Sequence, residues 1–310
     1  MSVVLITGCS SGIGLATAIT VAKSGHKVYA TMRKPLRAAL PSVFESELSS
    51  VKLIALDVTD DFSVKTAVNK VLGKEGKVDV LINNAGVSGL GAIEELSLDA
   101  FKKDMEINYF GTIRCIKAVL PSMRERGSGT IINISSVAGK VYSNFHGTYA
   151  PSKAAVEALS ECLAQEVNNF GIRVALVEPG VTDTSIFSKG YQLPQQTKYP
   201  NIKRFLSMFA ASVDNHVQPE AVSNVILDII EGRSTKFRNP ATPDAEPLLA
   251  WRASQTDEQW IASTGIDDET WTNAMEQGMN LHVRKYMENP SLIFFESPAT
   301  STQKEPEAIF

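Results

Sequence analysis

Six short runs of this 310-residue chain are apolar at nearly every position instead of at alternate ones: 3–7 (VVLIT), 27–32 (KVYATM), 51–58 (VKLIALDV), 78–84 (VDVLINN), 129–135 (GTIINIS) and 172–179 (IRVALVEP). Each is bounded by Gly, Pro, Asp or Asn, and such runs read as strands with both faces buried. Between them the apolar positions fall at helical spacing near 12–24, 60–74, 98–126 and 151–169, with a weaker pattern at 36–49. Strands separated by helices predict an α/β fold, a doubly wound parallel sheet with helices on both faces. Ligands of such sheets sit at the carboxyl ends of the strands. A helix near 218–232 and a short strand near 235–238 are expected to close the sheet.

Residues 180–217 break this rhythm. Gly190, Pro194 and Pro200 alternate with Phe187, Tyr191, Tyr199, Phe205, Met208 and Phe209, which reads as a long connection with apolar anchors. The main unit is therefore expected over 1–239, followed by a helical extension at 240–290 and a disordered tail at 291–310. In the extension DEQW and DETW recur eleven residues apart, and each predicts a helix start with an acidic first turn and a tryptophan packed on the body.

Composition adds limits more than content. The chain is 44% hydrophobic, 21% charged and has a formal charge of −4, with twelve acids and four bases after residue 239. The remaining balance of +4 gives no ground for nucleic-acid binding. Three cysteines, Cys9, Cys115 and Cys162, are unpaired in number and spacing, which fits a reducing, cytoplasmic setting. No run reaches about 18 apolar residues, so no transmembrane segment is expected, although a peripheral membrane contact stays open. Neither His146 nor His216 has a metal-like partner spacing, and no metal is expected.

The chemistry begins in TGCSSGIG (7–14), placed between a strand and a helix. Gly8 permits a tight turn, Gly12 lets the backbone approach a pyrophosphate, and Gly14 lets helix and strand pack closely. Ser10, Ser11 and Ile13 complete this loop. The second strand ends on Met32, Arg33 and Lys34 and offers no acid for a ribose 2′-hydroxyl. Arg33, helped by Ser10, could instead clamp a 2′-phosphate, so NADP(H) is favoured over NAD(H). Tyr149 and Lys153 lie four residues apart at the start of a helix and share a face.

Read in order, TGCSSGIG, LDV (56–58), NNAG (83–86), Asn108, ISS (134–136), YAPSK (149–153) and PGVTDT (179–184) resemble the short-chain dehydrogenase/reductases over about residues 3–238. Within the compact branch the chain is most similar to retinol and 17-beta-hydroxysteroid dehydrogenases. The resemblance implies Tyr149 as general acid/base, Lys153 as the group that lowers its pKa and bonds the nicotinamide ribose, and Ser136, thirteen residues before the tyrosine, as hydrogen-bond donor to the substrate oxygen. It implies that Asn108 holds a water, that Asp57 and Val58 meet adenine, and that Asn84, Ala85 and Gly86 line the nucleotide. Pro179, Gly180, Thr182 and Thr184 would face the nicotinamide. A phenol titrates near pH 10, so a neighbouring cation that favours phenolate is expected to help it work near neutrality. The reading is thus an NADP-dependent oxidoreductase interconverting a lipophilic carbonyl compound and its alcohol, in a homodimer or homotetramer. The alternatives are an NAD-linked alcohol, retinol or steroid dehydrogenase working oxidatively, and a non-catalytic nucleotide sensor.

Overall fold

In the computed structural model a seven-stranded, wholly parallel sheet has the order β3-β2-β1-β4-β5-β6-β7. The structure describes residues 1–35, 50–184, 186, 197–214 and 217–293. The expected helix at 36–49, the anchors Phe187, Gly190, Tyr191 and Pro194, His216 and all but the first residues of the expected tail lie outside that set. The strands are β1 (Val3–Ile6), β2 (Lys27–Met32), β3 (Val51–Ala55), β4 (Val80–Asn83), β5 (Gly129–Ile134), β6 (Ile172–Glu178) and β7 (Arg238–Pro240). Six fall within the runs read from the sequence. The seventh begins where its expected span ended, because the pairing of Leu176 with Arg238 and Glu178 with Pro240 sets its register.

Two cores flank the sheet. One face packs Leu5, Leu81 and Ile131 against α2 (Asp61–Glu75), α4 (Gly111–Arg126) and α5 (Tyr149–Val167); the other packs Ile6, Ile82 and Val177 against α1 (Gly12–Lys23) and α7 (Pro219–Ile230). The strands are apolar throughout because adjacent side chains point into different cores. Asp60 caps α2 by accepting the Phe62 and Ser63 N–H groups, which is why that helix starts one residue after the expected position 60.

Two elements depart from expectation. The long pattern at 98–126 is three pieces: α3 (Leu98–Met105), a π-helical turn at Glu106–Phe110, and α4. The wider turn sits where Gly111 crosses Val58 so closely that a Cβ would lie 2.8 Å from its side chain. Residues expected to form only a connection contain α6 (Ile202–Asp214). Its Ile202, Phe205, Leu206 and Phe209 recur at helical spacing and bury against Met275, Leu281, Val283 and Tyr286 of the extension in a third core.

The extension itself forms α8 (Ala245–Ala253), α9 (Asp257–Ala262), α10 (Asp268–Gly278) and α11 (Arg284–Glu288). The DEQW and DETW signals are helix starts: Thr256 and Gln259 form a reciprocal capping box, and Asp267 accepts the Thr270 N–H. Trp260 donates to the Tyr142 carbonyl (2.9 Å) and Trp271 packs on the third core, whereas Trp251 remains partly exposed. Among the described residues no helix is long and apolar enough to cross a membrane.

Candidate active site

The strand order reverses at β1 and β4, and the residues following their carboxyl ends face one crevice. Gly8 and Gly12 have φ of 74° and 58°, in the left-handed region that favours glycine. A Cβ on Gly14 would stand 2.4 Å from both the Gly8 carbonyl and the Asn84 amide, so the turn has no room for a side chain. Asn84 holds the turn from the other side by donating to the Thr7 and Gly8 carbonyls (2.8 and 3.1 Å). The Thr7 hydroxyl accepts from the backbone of Asn84 and Ala85, each at 3.0 Å. The NNAG stretch thus holds the glycine loop in shape, a structural part that its position in the sequence did not disclose. Across the gap, Thr184 lies 3.1 Å from where a Gly12 Cβ would be. Bare glycine backbone leading into the α1 N-terminus is the arrangement that takes a dinucleotide pyrophosphate.

Ser10 is exposed on this loop, Ile13 is half-buried against the core beneath α1, and Cys9 is buried, with its thiol pushed up to about 12 by that burial. At the end of β2, Met32 is buried and Arg33 is exposed. Burial opposes ionisation of Asp57, but two hydrogen bonds from Thr59 and the nearby Arg33 charge hold its carboxyl below the usual range. Val58 is buried beside Gly111.

The proposed reacting groups meet at the ends of β5, β6 and α5. Ser136 accepts the Ala138 N–H (3.1 Å), approaches the Pro179 carbonyl (3.4 Å), and hydrogen-bonds Tyr149. The adjacent Ser135 hydroxyl is buried against Gly139 and the Glu157 stem instead. Alternation along an extended chain separates the two serines, so only one can face the tyrosine. Lys153 is buried, its ammonium 5.7 Å from the Tyr149 ring centre, and it donates to the Ile134 carbonyl (2.8 Å).

The electrostatics differ from the simple expectation. Burial pushes Tyr149 up to about 12, outweighing the Ser136 hydrogen bond, and burial pulls Lys153 down to about 8. The lysine's ammonium engages a carbonyl in this arrangement, so desolvation dominates both groups.

Asn108 lies in the π-helical turn. Its side chain accepts from Val87 N–H (2.9 Å) and donates to the Val87 carbonyl (2.9 Å) and the Ser152 hydroxyl (2.8 Å). Those bonds tie the loop after β4 to α5, and the side chain clamps the two together. A Cβ on Gly86 would be 3.2 Å from the Asn108 oxygen and 3.7 Å from the Lys153 nitrogen, which shows how tightly these three converge.

Two acids escaped the sequence reading. Asp104, one turn before Asn108, is buried, accepts the Gly89 N–H (2.9 Å) and is raised by burial despite that bond and the nearby Lys153. Its setting among charged residues in FKKDMEIN reads as a solvated face; only its four-residue spacing to Asn108 hinted otherwise. Asp244, in the extension, accepts the Val181 N–H (3.1 Å), while Thr242 accepts the Gly180 N–H (2.8 Å). These bonds clasp the 179–184 loop, where Thr182 is buried and Thr184 half-buried. No local pattern links partners more than 60 residues apart.

The model of the family described as short chain dehydrogenase matches residues 2–195. The chain belongs to the short-chain dehydrogenase/reductase family. It is an NAD(P)-dependent oxidoreductase acting on carbonyl and alcohol groups. It is 36% identical over 253 residues to a 3-ketodihydrosphingosine reductase of Bacteroides thetaiotaomicron, covering 80% of this chain and 90% of that one. Human 17-beta-hydroxysteroid dehydrogenase type 1 is 36% identical over 272 residues, covering 81% and 80%. A short-chain dehydrogenase from Streptomyces avermitilis superposes with a TM-score of 0.74 at 34% identity, covering 86% of this chain and 98% of that structure.

Proposed function

We propose that this oxidoreductase is an NADP-dependent reductase of lipophilic ketones or aldehydes. The observation that carries the reading is the meeting of Ser136, Tyr149 and Lys153, with the Tyr149 ring against His146, which itself packs on Phe205 and Phe209. The nicotinamide would supply hydride to the carbonyl carbon. Ser136 donates a hydrogen bond to the carbonyl oxygen, and Tyr149 delivers its proton there as negative charge develops. A phenol held protonated at neutral pH is ready to donate to a far more basic alkoxide, which supports the reductive direction. Lys153 holds positive charge beside the phenol and is placed to bond the ribose.

The phosphate preference rests on Arg33, exposed at the end of β2 with no acid at the strand's own end. Asp57, close enough to feel that guanidinium, favours the second reading, an NAD-linked alcohol dehydrogenase, because a carboxylate competes with a phosphate for the same cation. The lipophilic substrate class is supported by the apolar, aromatic surroundings of Tyr149 and His146, and two relatives carry the names of a ketodihydrosphingosine and a hydroxysteroid.

Thermal unfolding with NADP⁺, NADPH, NAD⁺ and NADH added separately tests the cofactor. A ligand at about one hundred times its Kd adds roughly 2.7 kcal/mol, enough to raise Tm visibly. Selective stabilisation by the phosphorylated pair is expected. Equal or greater stabilisation by NAD⁺ and NADH would transfer the argument to the oxidative reading.

A further inference from the structure

Between the proposed proton donor and α6 lies a polar group that the reaction does not use. His146 is only 5% exposed, and its Nε2 has no hydrogen-bond partner. Its ring is enclosed by Phe205 (centres 4.8 Å apart), Tyr149 (5.1 Å) and Phe209 (5.6 Å). A buried polar atom without a partner costs about 1–3 kcal/mol, so its retention calls for an explanation. The backbone there is also constrained. Phe145, the preceding residue, has φ of 61°, rare for an aromatic side chain, and is fixed by the Gly91 N–H donating to its carbonyl (3.0 Å) and by the bridge between Gly91 and His146. The strained loop therefore holds the imidazole beside the tyrosine.

We infer that His146 is a substrate-recognition residue: it hydrogen-bonds a second, uncharged polar group of a flat lipophilic substrate, next to the carbon that reacts at Tyr149. This rests on the reductase reading above. Burial pushes the imidazole pKa down to about 3, so at neutral pH the ring offers one donor and one acceptor. A hydroxyl can pair with either and a carbonyl with the N–H donor, whereas a carboxylate would find no cation. Phe205 and Phe209, themselves buried in the third core, keep the surroundings of the imidazole apolar. The competing explanation is that the ring N–H merely faces an aromatic surface, which would make His146 a packing residue.

The test compares kcat/KM for acetophenone with its meta- and para-hydroxy derivatives, using NADPH and NADH, in the unmodified protein, His146→Phe and His146→Gln. A thermal shift with nucleotide verifies that each variant is folded. One hydroxy isomer is expected to exceed acetophenone by roughly tenfold, the ratio to fall to about one in His146→Phe, and His146→Gln to recover part of it. An unchanged ratio in folded His146→Phe, or no isomer preference in the unmodified protein, overturns the inference while leaving the reductase reading intact. If His146→Phe does not fold, His146→Gln decides: a preference there as large as in the unmodified protein overturns it. Absence of turnover on all three ketones defeats the reductase reading, and the inference falls with it.

Discussion

Lys153 is a cation held where water is scarce, and its placement sets function against stability. With a pKa near 8 in the folded protein against an ordinary 10.5, it is charged in both folded and unfolded states at pH 7, and only the folded state bears the desolvation cost. Between pH 8 and 10.5 the unfolded chain binds the extra proton, so stability rises with pH through that window. By the usual conversion the cost is roughly 3–4 kcal/mol, partly offset by the bond to Ile134. Lys153→Met is expected to lose turnover yet raise Tm at pH 7, with the advantage shrinking as pH climbs toward 10.5. Unfolding curves across that range check the sign. Asp104 acts on the same pair, because its negative charge raises both Tyr149 and Lys153. Asp104→Asn should therefore move the alkaline limb of the pH–rate profile to lower pH, whereas an unmoved limb would mean that Asp104 is uncharged there. Tyr149→Phe removes the proton donor itself; turnover should vanish while nucleotide-induced stabilisation persists.

At the scale of elements, the glycine turn is the least forgiving piece. Gly14→Ala forces a methyl against a carbonyl and an amide at 2.4 Å, and such overpacking costs about 1–3 kcal/mol. It should lower Tm and weaken nucleotide binding together, measured by unfolding with and without nucleotide. This turn was legible from sequence because its spacing lies within one strand, loop and helix. The same holds for the Tyr149 and Lys153 pair, one helical turn apart. The π-helical turn was not legible, since its register answers to the close passage of Gly111 over Val58, a contact between distant segments. Helix α6 was obscured differently: Pro194 and Pro200 read as loop signals, although Ile202, Phe205, Leu206 and Phe209 carried the helical spacing all along. Local punctuation outweighed periodicity in the reading, while burial against the extension outweighs it in the protein. Phe205→Ala should cost about 3–5 kcal/mol, the range for large core truncations.

For the whole molecule, the division at residue 239 marks a change of pattern more than a separable body. The third core joins α6 to α10, α11 and the residues between them, and Thr242 and Asp244 reach back to Gly180 and Val181. A chain ending at residue 239 would expose Phe205, Leu206 and Phe209 and lose both loop bonds. It should show a lower Tm than the full chain, a greater tendency to aggregate, and weak stabilisation by nucleotide.

The Asp244 clasp also limits how this scaffold can be re-engineered. A Cβ on Gly180 would stand 2.1 Å from the Asp244 carboxylate, so the loop and the extension fit each other as a matched pair. A chimera that takes its substrate loop from one parent and its carboxyl-terminal helices from another would separate the two halves of that fit. Recombination intended to move specificity between relatives therefore has to carry residues 179–184 and 240–293 as one inheritance.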